Sequence, residues 1–246
     1  MLAYFEYFFS KKFSLKGGRQ ELDYDDARIL GNLDWAAQAR SHDGFVLKYT
    51  DSSGAIHVGA TYNQNSTPVE PAKLTGNYYS SPAFGAAGGG LPNPLMMQYI
   101  WLQKSLKKFS FSALALNTSW QLPKDSSVNN LLTVGVNPAY KFSGKFGIDA
   151  SFYYQAGKDR ADNVTNGWLA SMNLIYTGIK NVGLTLGGDY LSGTEKGNGR
   201  STAFEPLFGT NHKFYGYMDY FYVGNAHAQG GRTLGCLLYT SPSPRD

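Results

Sequence analysis

Between Lys145 and Gln155 apolar and polar side chains alternate one for one. Phe146, Ile148, Ala150, Phe152 and Tyr154 fall on one side, and Gly147, Asp149, Ser151, Tyr153 and Gln155 on the other. A helix needs apolar residues every three or four positions, whereas a strand sends successive side chains to opposite faces, so this stretch is a strand with one greasy and one wet face. Val182, Leu184, Leu186, Gly188 and Tyr190 repeat the pattern against Gly183, Thr185, Gly187 and Asp189, and Phe214 to Tyr222 repeats it again. The same rule predicts strands near 3–9, 13–22, 44–50, 55–64, 95–104, 109–121, 130–142, 145–156, 167–178, 182–192 and 212–222, about eleven in all. Several approach the roughly 9 to 11 residues that a tilted strand needs to cross a bilayer.

The connections alternate in length. Short turns fall at Ser10-Lys11-Lys12, Asp51-Ser52-Ser53-Gly54, Ser105 to Lys108, Ser143-Gly144 and Gly178 to Asn181; longer loops fall at 23–43, 65–94, 122–129, 157–166 and 193–211. A soluble β-sandwich has no reason for that regularity, whereas an outer-membrane barrel has short periplasmic turns and long outer loops. The expectation is antiparallel neighbours only, with all short turns on one rim. Phe146, Ile148, Phe152, Leu184, Leu186 and Met218 should face outward, and Asp149, Asp189 and Asp219 inward.

Composition agrees with this class. Aromatic residues make up 15% of the 246 residues and glycine contributes 29, which suits aromatic girdles and tight turns. No apolar run approaches the roughly 20 residues of a spanning helix. The formal charge of +4 comes from scattered basic residues, which argues against a nucleic-acid partner. Both ends look unlike a mature barrel: Met1-Leu2-Ala3-Tyr4 enters a strand directly, so an export signal is expected to have been lost. Residues 1–228 are assigned to a partial barrel. Residues 229–246 are set apart as a non-native or disordered tail, because Arg232 to Asp246 breaks the pattern and looks like translated sequencing adapter.

Gly18-Arg19-Gln20-Glu21, then Ala27-Arg28-Ile29-Leu30-Gly31, Leu33-Asp34-Trp35 and Arg40-Ser41-His42-Asp43 resemble the GRQ, R-hydrophobic-hydrophobic-G, W and R-x-x-D blocks of the alginate-export family of outer-membrane porins. A second block, Phe204 to Gly216, is similar to a loop and strand of its Bacteroidota members, and the resemblance spans roughly residues 3 to 228. It implies an all-β, antiparallel transmembrane β-barrel of about 18 strands, of which eleven are visible here. It also implies a pore in the bacterial outer membrane passing a hydrophilic solute, with outer-membrane lipid, the barrel-assembly machinery and an anionic or neutral glycan as partners and with no cofactor. Arg19, Arg28 and Arg40 match the block arginines and are expected to face the pore, with Asp43 closing the last motif. Strand parity adds Lys16, Lys48, His57 and Lys213 to the wet face, but also Asp149, Asp189 and Asp219.

Other chemistry has little support. His42-Asp43 lacks an accompanying serine-centred nucleophile motif, and four scattered histidines do not suggest a metal site. Gly85 to Gly90 lacks the Lys-Ser/Thr of a phosphate loop. Tyr78, Tyr79 and Phe84 either fold their loop onto the barrel mouth or stack on sugars. Trp101, Trp120 and Trp168 fit interfacial anchors. The block arginines either bind carboxylates of a solute or pair with Asp23, Asp25, Asp26, Asp34 or Asp43 and pin the first long loop inside the barrel. The alternatives to a pore are a non-transporting barrel acting as an adhesin or lipid-acting enzyme, and a soluble β-sandwich binding module.

Overall fold

The structure is a computed structural model that describes residues 2–33, 40–63, 94–122, 127–180, 182–194, 200–210, 212–215 and 233–242. Ten strands follow one another in an up-and-down sheet: β1 (Ala3–Phe8), β2 (Phe13–Gln20), β3 (His42–Thr50), β4 (Gly54–Tyr62), β5 (Met96–Ser105), β6 (Phe109–Gln121), β7 (Val128–Lys141), β8 (Phe146–Lys158), β9 (Val164–Ile179) and β10 (Val182–Leu191). Each lies within a few residues of its expected position and pairs antiparallel with its sequence neighbours. The short turns therefore share one rim and the long loops the other. Thr233–Pro242, inside the stretch set apart above, forms β12 along the free side of β10, and β1 and β12 are the two edges of the sheet.

Two expectations need correction. The two-residue β11 (Arg200–Ser201) pairs parallel with Val164 and Thr165 of β9, so the neighbours are not all antiparallel. It belongs to a long loop that lies back against the rim, and the wall itself stays antiparallel. The strand expected at 212–222 begins instead as a short helical turn, α1 (His212–Tyr215), while Met218 and Asp219 lie outside the described residues. Thr210 accepts a backbone bond from Lys213 there, which closes a turn and not a ladder.

The outer face of the wall is apolar, while the inner face mixes polar side chains with a buried cluster that includes Leu114, Leu116, Tyr153 and Leu169. On β7 Val128, Leu132, Val134 and Val136 are exposed on the convex face while Asn129 and Thr133 are buried; on β9 Val164, Trp168, Met172 and Leu174 are exposed while Thr165 and Ser171 are buried. An apolar convex face is stable against hydrocarbon and costly against water. Phe146, Phe152 and Leu186 stand outward, with Ser151, Gln155 and Asp189 buried on the other face.

Local chemistry fixes the hairpins. Ser10 Oγ accepts from the backbone N–H groups of Lys12 and Phe13, Asp51 Oδ1 from those of Ser53 and Gly54, and Ser143 Oγ from those of Lys145 and Phe146. A short oxygen-bearing side chain thus caps donors two and three residues on. Inside the wall, Gly59 faces Tyr99 and Gly135 faces Tyr153 across adjacent strands, each ring lying where a side chain would stand. We expect Gly59→Val to displace the Tyr99 ring and cost about 1–3 kcal/mol by overpacking. Urea unfolding in lipid vesicles would read that cost, and a wild-type midpoint would refute the packing role.

Candidate functional site

The first long loop turns inward. Leu22, Ala27, Ile29, Leu30 and Leu33 are buried on the concave face of the sheet. Residues 203–210 meet them. Phe208 N–H donates to Ile29 O, Gly31 N–H donates to Phe208 O, and Thr210 Oγ1 donates to Asn32 O. The two loops form one plug, tied to itself by backbone bonds as a strand pair would be.

Its side chains reach wall strands on both sides. Tyr24 Oη lies 2.9 Å from His57 Nδ1 and 3.0 Å from Tyr99 Oη, its ring packs 5.0 Å from Trp101, and Trp101 Nε1 donates to Asp25 at 2.9 Å. Four residues further on, Arg28 donates to both oxygens of Asp189 at 2.8 and 2.9 Å, to Ser171 Oγ at 2.9 Å and to Asp26 Oδ2 at 2.7 Å. Its guanidinium lies 3.9 Å over the Phe214 ring. One short segment touches both β4–β5 and β9–β10, so the sheet must curl around it. Gln155 makes the second anchor, with Nε2 donating to Glu205 O and Oε1 accepting from Glu205 N–H.

The expected pore-facing residues therefore divide. Arg28 and Arg40 are both interior. Arg40 donates to the carbonyls of Gly31 and Phe208 and so staples the two plug loops. Lys48 lies on the concave face, paired with Glu6 at 3.1 Å, and Lys16 sits 3.8 Å over the Tyr4 ring. Arg19 and Asp43 do not face the pore. They are directly paired across β2 and β3, form a two-pronged ion pair at 2.8 and 2.7 Å, and share the convex face with Phe45. The physical reason is parity: Gln20 and His42, one residue away on each strand, are the buried pair. For the same reason His42 and Asp43 point to opposite faces and cannot act as a dyad.

Of the expected aromatic anchors, only Trp168 is exposed on the outer wall, stacked 4.5 Å from Tyr190. Trp101 and Trp120 belong to the interior face, against expectation, because their parity is that of Tyr99 and Leu116. Asp34, Trp35, Tyr78, Tyr79, Phe84 and Gly85 to Gly90 lie outside the described residues. Sequence reasoning missed Gln155, Tyr24 and Asp189's partnership with Arg28. Only the wet-face parity of Gln155 and Asp189 could have pointed to them.

Between the plug and the short-turn rim lies an open cavity of about 780 Å³. Asp25, Asp26, Asp149 and Asp189 border it with Arg28 and Lys213, and Gln103, Asn137, Asn173 and Thr185 add neutral hydrogen-bonding groups. Asn173 Nδ2 donates to Asp149 at 2.6 Å. Asp25 is open to the cavity, yet the protein crowded around its carboxyl strips part of its hydration and raises it above its ordinary value, against bonds from Ser112 and Trp101, and Asp26 adds to the rise. Burial likewise raises Glu205, opposed by Arg160 and aided by Asp159, and lifts the Tyr24 phenol to about 12.

A carboxyl whose folded value is raised holds its proton better folded than unfolded. Plug stability should thus rise as pH falls toward the ordinary values of 3.8 for Asp25 and 4.5 for Glu205, and be lost as pH climbs through the folded values. Hydrogen exchange at Leu30 and Phe208 between pH 7 and just above pH 4.5 should show slower opening at the acid end. Asp25→Asn with Glu205→Gln should flatten the profile; an unchanged slope assigns the effect elsewhere.

A family model described as alginate export matches residues 1–230. A search of curated proteins finds no match. Among solved structures the chain is similar to a loop-deletion mutant of OmpT, an outer membrane protein of Vibrio cholerae, at 13% identity and a TM-score of 0.44, over 75% of this chain and 55% of that one. The NanC porin matches at 11% identity and a TM-score of 0.38, over 78% of this chain and 88% of that one. OccAB4 of Acinetobacter baumannii matches at 11% and 0.35, over 78% and 59%. The chain thus spans about half of the first of these proteins. Its apolar convex wall, its single rim of short turns and a family match over nearly its whole length agree: the chain belongs to the alginate export family and is an outer-membrane β-barrel chain.

Proposed function

We propose that this chain forms part of a passive diffusion pore for a hydrophilic solute of saccharide class, narrowed by the plug of residues 21–33 and 203–210. The observation that carries the reading is the polar cavity on the concave face, crossed by a loop that is anchored on both sides, which suits a constriction in a water-filled passage. Lys16, Lys48 and Arg28 are the cations proposed to border that passage. Arg40 acts through the plug it staples.

The family name suggests an acidic polysaccharide, and an anionic glycan is one solute this pore would serve. The cavity composition favours a neutral one. Its four carboxylates outnumber its two cations, and Arg28 is already engaged by Asp26 and Asp189. Charges in a confined passage are less screened than on a surface, so a chain with one carboxylate per sugar meets net repulsion there. Planar-bilayer recording on the full-length protein tests both levels. A stable conductance supports the pore, and its absence sinks it. Block of that current by a neutral hexasaccharide at lower concentration than by hexamannuronate supports the neutral solute, and the reverse order assigns the pore to the acidic one.

A further inference from the structure

The short-turn rim carries a charge pattern that the transport reading does not use. Lys11, Lys12, Lys107, Lys108, Lys145 and Lys180 all lie in or beside the short connections, and all are exposed. No carboxylate forms an ion pair with any of them among the described residues. The one turn without a lysine, 51–53, has Lys104 donating to its Ser53 hydroxyl, and the Asp51 carboxylate there is occupied by the turn's own N–H groups. The opposite rim is mixed and paired: Asp162 and Glu205 there form ion pairs with Lys158 and Arg160.

Directly inside the lysines, the convex face carries paired aromatic rings. Phe13 and Tyr49 lie 4.8 Å apart, Tyr140 and Phe142 5.1 Å, and Phe146 and Tyr176 4.6 Å. Aromatic rings at the end of an apolar wall mark the depth of the bilayer interface, and lysine stems extend past that depth to hold their ammonium groups among headgroups. The lysines recur from turn to turn along the wall's perimeter. A single bound macromolecule would call for a local patch, whereas a leaflet meets the whole perimeter.

We propose that this lysine collar binds anionic phospholipid headgroups of the periplasmic leaflet. The phosphate and any further negative charge of the headgroup supply the anionic partners that these lysines lack among the described residues, and the aromatic pairs hold the acyl ends at matching depth. The surface potential of such lipids attracts basic groups within about a Debye length, so the interaction fades with salt.

The test uses the full-length protein refolded in phosphatidylcholine vesicles with and without phosphatidylglycerol, followed by native mass spectrometry of the lipids retained. We expect phosphatidylglycerol to be retained about tenfold in preference to phosphatidylcholine at low salt. Replacing Lys107, Lys108, Lys145 and Lys180 by glutamine should remove most of that preference, and about 1 M salt should erase it in the parent. The control Lys158→Gln, on the long-loop rim, should keep it. Equal retention of the two lipids by the parent, or a preference that survives the glutamine variant, overturns the proposal. So does binding of soluble hexamannuronate to the collar with no lipid preference, which would assign the lysines to a solute. These readouts are independent of conductance, and the collar variants are distinct from the plug.

Discussion

Replacing Arg28 by methionine should open the passage and loosen the plug. The side chain is almost wholly buried, and its fork spans Asp26 on its own loop and Asp189 on β10. Taking away one partner of a buried pair leaves the other charge without compensation, at a cost of about 3–5 kcal/mol. The lower end applies here, because Asp26 is 29% exposed and can turn to water. The cost falls on the plug, since the wall ladders do not depend on Arg28. Single-channel conductance should rise, with frequent transitions between levels, and hydrogen exchange at Ile29 and Leu30 should accelerate while β7 to β9 stay protected. Asp189→Leu on top of Arg28→Met should recover part of the stability by removing the stranded carboxylate. Arg28→Lys should fail to rescue, because an ammonium cannot hold both oxygens of Asp189 and also Ser171. Unchanged conductance and exchange in Arg28→Met would make the residue a bystander.

The second large effect separates the two faces of one strand. Leu186 and Thr185 are neighbours on β10, the first 54% exposed on the convex side and the second bordering the cavity. Leu186→Arg should cost about 2–4 kcal/mol if it lies near the bilayer midplane. Thr185→Arg should cost far less, because its side chain enters a polar space already edged with carboxylates. Urea titration of both variants in vesicles decides the matter. Equal costs would mean that the convex face does not meet hydrocarbon.

The wall was legible because its rules are local. Period-two alternation gave each of β1 to β10 to within a few residues, and the regular change in loop length gave the rims, since every pair among these ten joins sequence neighbours; β12, in the stretch set apart as a tail, was not foreseen. The plug was only half legible. The density of opposite charges around Arg28 indicated an inward loop, but its acceptor is Asp189, which no spacing in the first 50 residues could indicate. Arg19 failed for a different reason. A motif match conveys residue type and says nothing about which face a strand presents, and here one position separates Arg19 on the outside from Gln20 on the inside. Residues 212–215 misled because an aromatic alternation that fits a strand also fits a turn that buries one ring, here Phe214 beneath Arg28.

The seam between the plug loops also bears on the order of assembly. Every second wall hairpin closes over a turn of a few residues, and all wall pairs from β1 to β10 join sequence neighbours, so the wall can zip in sequence as the chain enters the bilayer. The seam instead joins Asn32 to Thr210 across 178 positions. Closing so large a loop of free chain is entropically slow, but a wall formed first holds both segments close together. The plug should therefore dock last, after a sheet that has already curled has brought its two halves within reach.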